Sequence, residues 1–241
     1  MTDLATQPPR YGTLNLDYIA SWDTIPDDEP MWALNLMHYR AVADYRDGRE
    51  STITGQEADD RYAPFEPLAA VGARIVLVAP VVEQLIGDVP VWDRIAIVRY
   101  PSRRAMLEME SSPAFRELHV HKEAGMASTI VAATYPRVET IYPVRLADEE
   151  LLLLQLVADD AAPGIATPGC RPLATFRVDA VIIGDGRTWA AARWHAIPAA
   201  DVGAVRDAIA TQDWDDGCYA VVMQPFINEL AAALAEVSSS S

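Results

Sequence analysis

The sequence predicts an α+β protein made of two tandem ferredoxin-like units. Three observations carry this expectation: the order of strand-like and helix-like segments, the return of that order after a proline-containing linker, and one tryptophan-to-proline spacing found in both halves. The expected division is an N-terminal arm over residues 1–29, a first unit over 30–136, a linker over 137–147, and a diverged second unit with a C-terminal helix over 148–241.

The arm carries Pro8, Pro9, Pro26 and Pro30 with the acidic Asp27-Asp28-Glu29, and reads as a segment laid over a domain rather than a core element. Met31 to Tyr39 is an apolar run without helical period, suited to a buried strand. Asp47-Gly48 marks a turn. Thr54 to Glu57 has the form of a capping box that opens a helix, which Pro64 and Pro67 must kink or end. Arg74 to Val82 is β-branched and predicts a second strand, and Trp92 to Tyr100 a third. Pro101-Ser102 leads into a helix with Ala105, Met106 and Met109 on one side. Ser112 caps the next helix, with Pro113 at its first position, Phe115 and Leu118 as its apolar stripe, and Gly125 placed to stop it. Thr129 to Thr134 is the fourth strand.

After the linker the pattern restarts. Leu151 to Ala158, Thr175 to Ile183 and Trp189 to Ile197 read as strands, with Gly184-Asp185-Gly186 as a hairpin turn. Val202, Val205 and Ile209 fall at helical spacing, Tyr219 to Met223 closes the set, Leu230 and Leu234 mark a final helix, and Ser238 to Ser241 should fray. Trp92 stands nine residues before Pro101 and Trp189 nine before Pro198, each pair bracketing a strand that feeds a helix. The second half is shorter between its first strand and its tryptophan, and the missing part corresponds to the first helix.

Composition narrows the partners. The formal charge, 19 minus 35 or −16, would repel a phosphate backbone, and no basic run compensates, so neither nucleic acid nor an anionic membrane is expected. Met1 to Pro9 lacks the basic start and apolar stretch of a secretory signal, and no apolar run approaches the ~20 residues of a membrane span, so a cytoplasmic protein is expected. Cys170 and Cys218 have neither paired spacing nor a ligand partner nearby in sequence; two packed thiols are expected rather than a disulfide or zinc site.

Several segments together carry a resemblance: Ala43-Asp44-Tyr45-Arg46-Asp47-Gly48-Arg49-Glu50, Glu57-Ala58-Asp59-Asp60-Arg61-Tyr62-Ala63-Pro64, Trp92-Asp93-Arg94, Val98-Arg99-Tyr100-Pro101-Ser102-Arg103 and His119-Val120-His121-Lys122-Glu123-Ala124-Gly125. Over roughly residues 30 to 135 the chain resembles a family of small bacterial proteins of unknown function in the dimeric α/β-barrel superfamily. The resemblance implies two ferredoxin-like sheets enclosing a ligand, here as a single-chain pseudo-dimer. It implies a superfamily of cofactor-free monooxygenases, lactone isomerases, polyketide cyclases and haem enzymes, among which fold alone does not choose. A homodimer of the two-unit chain is compatible with it. The second half has Ala196-Ile197-Pro198-Ala199 where the first has Arg99-Tyr100-Pro101-Ser102, and has no counterpart of the histidine segment.

The candidate catalytic residues are His119, His121, Arg99 and Tyr100. Arg99 and Tyr100 end a strand, so only one of them can face a given pocket; there a guanidinium would bind an anion and a phenol would donate a hydrogen bond. Otherwise they form an ion pair or anchor the corner. His119 and His121, about 200° apart on a helix, cannot easily chelate one metal, but one of them could serve as a general acid or base. Tyr62, His38, Arg61 and His195 are candidate ligand-binding residues; Arg61 could equally pair with Asp59 or Asp60 on the surface, and His195 shares a strand face with Arg193. No phosphate loop, serine-hydrolase signature or zinc motif occurs. The expected function is binding of a small molecule without metal or cofactor, with either proton transfer on an organic acid or polyketide-like substrate, or binding and sensing alone, or an oligomerisation scaffold.

Overall fold

A computed structural model describes residues 8–27, 29–142, 144–162, 164–165, 169–212, 214 and 217–239. Met1 to Gln7 and Asp28 of the expected arm, Pro143 of the linker, and the terminal Ser240 and Ser241 lie outside the described residues.

The arm contributes more than a cover. It forms β1 (Thr13–Leu14), paired antiparallel to Gly184 and Ile183, and α1 (Leu16–Ser21), capped by the Asn15 side chain. Tyr11 and Trp22 are buried at 5% and 2% exposure. These two aromatics lie among prolines and acids, which mask their apolar weight in the sequence.

β2 (Met31–Tyr39) is buried continuously from Met31 to Met37, as a strand covered on both faces must be. α2 (Gly55–Arg61) opens on a complete capping box between Thr54 and Glu57. Pro64 ends that segment and begins α3 (Phe65–Ala70), with Pro67 in the first turn, where a missing N–H costs nothing. β3 (Arg74–Ile86) outruns its predicted end, and β4 (Arg94–Tyr100) follows. α4 (Arg103–Ser111) is capped by Ser102 and buries Ala105, Met106 and Met109. α5 (Pro113–Gly125) is capped by Ser112, with Pro113 at its start, and runs directly into β5 (Met126–Pro136). Gly125 does not stop the helix through a left-handed turn; it is not among the positive-φ glycines. Its role is close approach, because a Cβ there would collide with the Gly55 carbonyl, and a Cβ on Gly55 with the Gly125 carbonyl.

The second half carries β6 (Glu150–Val157), β7 (Arg171–Gly184), β8 (Ala191–Pro198), α6 (Val202–Ala210), β9 (Tyr219–Met223), β10 (Ile227–Asn228) and α7 (Leu230–Ser239). Among the described residues no helix separates β6 from β7, as the shorter spacing implied. Trp92 and Trp189 do not begin their strands; each stands two residues ahead of one, and each packs on Tyr219, with ring centroids 6.3 and 6.0 Å apart.

The hydrogen-bonded strand order is β7-β5-β2-β4-β3-β9-β6-β8, with β8 also paired to β7, so eight strands form a closed cycle of pairings. Within it β5-β2-β4-β3 and β9-β6-β8-β7 repeat one arrangement, in which the strands of each half stand in the order fourth, first, third, second. The described residues pack as two compact units. The first comprises Met1–Ile75, Ile97–Ala133 and Val181–Gly186; the second Val76–Ala96, Thr134–Ala180 and Arg187–Ser241.

Candidate functional site

Within the first compact unit, α5 aligns Phe115, His119 and Lys122 on one face, since residues four and then three apart stack along a helix. The Phe115 and His119 rings stack with centroids 5.2 Å apart. Tyr62, at the C-terminal end of α2, meets both rings edge-on at 5.9 and 6.2 Å. The Lys122 Nζ lies 5.2 Å from the centroid of the Tyr62 ring. Tyr11 closes the group, its hydroxyl 2.8 Å from His119 Nε2. From α4, Met106 and Glu110 share a face, and the Tyr100 hydroxyl reaches the Met109 sulfur at 3.6 Å.

Burial dominates the electrostatics. It raises the Glu110 carboxyl to about 7, against the pull of the Lys122 cation. It lowers the Lys122 ammonium from its ordinary value, against the opposite influence of Asp59 and Glu110. Burial and neighbouring carboxylates push the phenols of Tyr11, Tyr62 and Tyr100 well up, so all three remain neutral donors. His119 falls to about 4, through burial first and then the Lys122 charge, and is therefore a neutral imidazole at pH 7.

Three polar ends in this cluster are unused. Neither the Glu110 carboxyl, nor the Tyr62 hydroxyl, nor the Lys122 ammonium has a hydrogen bond or ion pair among the described residues. Each of these three residues is half-buried. The cluster thus offers an acid poised near neutrality, an amine with weakened affinity for its proton and a phenol donor, set among aromatic rings.

Of the residues singled out from sequence, Tyr62, Tyr100 and His119 meet here. His121 points elsewhere: its Nδ1 is 2.8 Å from the Tyr45 hydroxyl, and the Arg49 guanidinium lies 4.3 Å over the Tyr45 ring. Arg99 takes the strand face opposite Tyr100, with its guanidinium 5.7 Å from the Trp32 ring centroid. His38 is likewise turned from its neighbour Tyr39, whose hydroxyl donates to Asp59 at 2.7 Å. Arg61 is exposed in the last turn of α2. His195 belongs to the second compact unit, on the face of β8 shared with Ile197, which packs against Val205 and Ile209 of α6. Burial lowers it to about 4.

Tyr11, Glu110 and Lys122 were not singled out from the sequence, although signals for two of them exist there. Glu110 sits four residues after Met106, on the apolar stripe of its helix, where a carboxylate is out of place. Lys122 is the sole lysine among the 19 basic residues of the chain. Among the described residues no group of three or more His, Cys, Asp or Glu could hold a metal ion, and no helix is long and apolar enough to cross a membrane.

Fold and site together describe a mixed α+β protein with a closed cycle of strand pairings and a cluster of half-buried ionisable groups in its first compact unit. No protein-family model and no curated protein matches the chain. Among solved structures it is similar to RPA0582, a protein of unknown function from Rhodopseudomonas palustris, at 27% identity over 50% of this chain and 92% of that one, with a TM-score of 0.44. The methylated RPA0582 protein aligns at 32% identity over 48% and 86%, with a TM-score of 0.43. A mutant chlorite dismutase from Candidatus Nitrospira defluvii aligns at 9% identity over 89% and 97%, with a TM-score of 0.44.

Proposed function

We propose that the chain is a single-chain pair of ferredoxin-like units and that the half-buried cluster of its first compact unit forms a recess that binds a small enolisable carbonyl compound and moves protons on it without a cofactor. The repeated strand order supports the pairing of units. One observation carries the functional reading: Glu110, poised near neutrality, lies within electrostatic reach of Lys122 and Tyr62, and none of the three polar ends has a hydrogen bond or ion pair among the described residues.

Leaving such groups unpaired costs stability, of the order of 1–3 kcal/mol for a neutral polar group and more for a charge. A ligand offering one oxygen to Tyr62 and Lys122 and an acidic C–H to Glu110 would satisfy all three. In that arrangement Glu110 takes the proton as general base, and Lys122 with Tyr62 holds the enolate oxygen. The aromatic walls suit a substrate with an apolar body. His119 positions Tyr62 and Phe115 by ring contact; held neutral and bonded to Tyr11, it is a poorer proton shuttle than Glu110.

Solvent deuterium exchange at the acidic carbon of acetylacetone and of related β-diketones tests this reading. The protein should accelerate exchange, and Glu110→Gln should remove about 10²-fold or more of that acceleration, the usual scale for general acid–base catalysis. Saturable binding with no acceleration would instead make the recess a binding or sensing site. No binding of any β-diketone would contradict the reading.

A further inference from the structure

We propose that Lys122 captures its carbonyl ligand covalently, as an imine. The proposal rests on the reading of the recess as a carbonyl site and adds the bond by which the ligand is held. Geometry carries it. The chain has one lysine, and that lysine is half-buried on the face of α5 that carries Phe115 and His119, with its ammonium 5.2 Å from the Tyr62 ring centroid. A solvated surface lysine normally remains charged, whereas this one has no ion pair, and burial lowers its affinity for a proton. Glu110, which with Asp59 acts on the Lys122 charge, is supplied by the preceding helix and stays partly protonated at pH 7.

The step balances without an oxidant or reductant. The lone pair of the neutral Lys122 amine forms a bond to the carbonyl carbon, the C=O π pair moves to oxygen, and that oxygen takes the proton of Glu110. The nitrogen then gives a proton to the Glu110 carboxylate, Glu110 passes that proton to the hydroxyl, which leaves as water, and the nitrogen lone pair closes the C=N bond of a protonated imine. With a β-diketone the protonated imine becomes a stable, neutral enaminone by losing one proton from the central carbon to the Glu110 carboxylate. The neutral aromatic lining favours an uncharged β-dicarbonyl over a carboxylate-bearing one, which ionised Glu110 would repel.

Acetylacetone is the probe, used with the full chain. The expected result is one equivalent of adduct, seen as a mass gain of the diketone less water and a new near-ultraviolet band, and mapped to the peptide containing Lys122. The N-terminal amine is the one other primary amine available, so peptide mapping leaves no ambiguity. The adduct should form at least about 10²-fold faster than on Nα-acetyl-lysine, should be absent in Lys122→Arg, and should slow by about 10²-fold in Glu110→Gln. Modification of the N-terminus alone, or a rate equal to that of the free amino acid, would overturn the proposal. Chemical-shift mapping of acetylacetone on Lys122→Met separates the two readings. Binding retained there, with no adduct on the unsubstituted chain, overturns the imine and leaves the carbonyl site standing; no binding to either protein overturns both.

Discussion

Glu110 on α4 and Lys122 on α5 influence each other's ionisation within one half-buried cluster without forming an ion pair. The Lys122 charge pulls the Glu110 carboxyl down and the Glu110 charge holds the Lys122 ammonium up, yet burial outweighs both. Such a pair is costly to the fold when empty, and that cost is measurable.

Glu110 makes the clearest statement about pH. Its carboxyl is raised from 4.5 to about 7, so the folded state keeps a proton that the unfolded chain releases. Stability should therefore fall as pH rises from about 4.5 to about 7, because the folded state binds more protons throughout that window. Urea unfolding of Glu110→Gln between pH 4 and 8 should show a flatter profile than the unsubstituted chain. An unchanged slope would mean that the carboxyl is not held in a desolvated site.

His119 acts in the opposite sense. Lowered from 6.5 to about 4, it costs stability as pH falls through that range, since the unfolded chain gains a proton that the folded state resists. Tyr11→Phe removes the hydrogen bond to Nε2 and should cost about 0.5–1.5 kcal/mol at pH 7. Thermal unfolding checks the cost, and the His119 ring resonance in nuclear magnetic resonance reports whether the imidazole stays neutral to below pH 5.

The crossing of α2 and α5 admits no side chain at two glycines. Gly125→Ala would drive a methyl into the Gly55 carbonyl and should destabilise by about 1–3 kcal/mol, the usual range for overpacking. The recess should suffer with it, because Tyr62 and His119 ride on these two helices. Denaturant midpoints of Gly125→Ala and of an exposed control such as Gly48→Ser, where nothing crowds the position, separate packing loss from backbone strain at the positive φ of Gly48.

The strands and caps were legible because each rests on local chemistry. Met31 to Tyr39, the Thr54–Glu57 box and the Ser112-Pro113 helix start appear where the sequence places them. The arm was harder to read, because Tyr11 and Trp22 are single aromatics whose burial depends on distant chain. Tyr62, Tyr100 and His119 could be singled out as candidates because aromatic and imidazole groups stand out in a helix or at a strand end, and the structure brings these three into one cluster. Glu110 and Lys122 look like ordinary charges of an acidic surface, and only burial gives them chemistry. For Arg99 and Tyr100, strand alternation showed that one must turn away without showing which; the helices over Tyr100 decide it.

The central claim is that Lys122 is a desolvated amine in electrical contact with Glu110. A single lysine gives a single side-chain resonance, so its titration can be followed directly in protein labelled at the lysine ε-carbon. The account predicts a midpoint below the ordinary value of about 10.4, and a further decrease in Glu110→Gln, which removes one of the two carboxylates, with Asp59, that support the charge. A midpoint at or above the ordinary value, unmoved by Glu110→Gln, would contradict it.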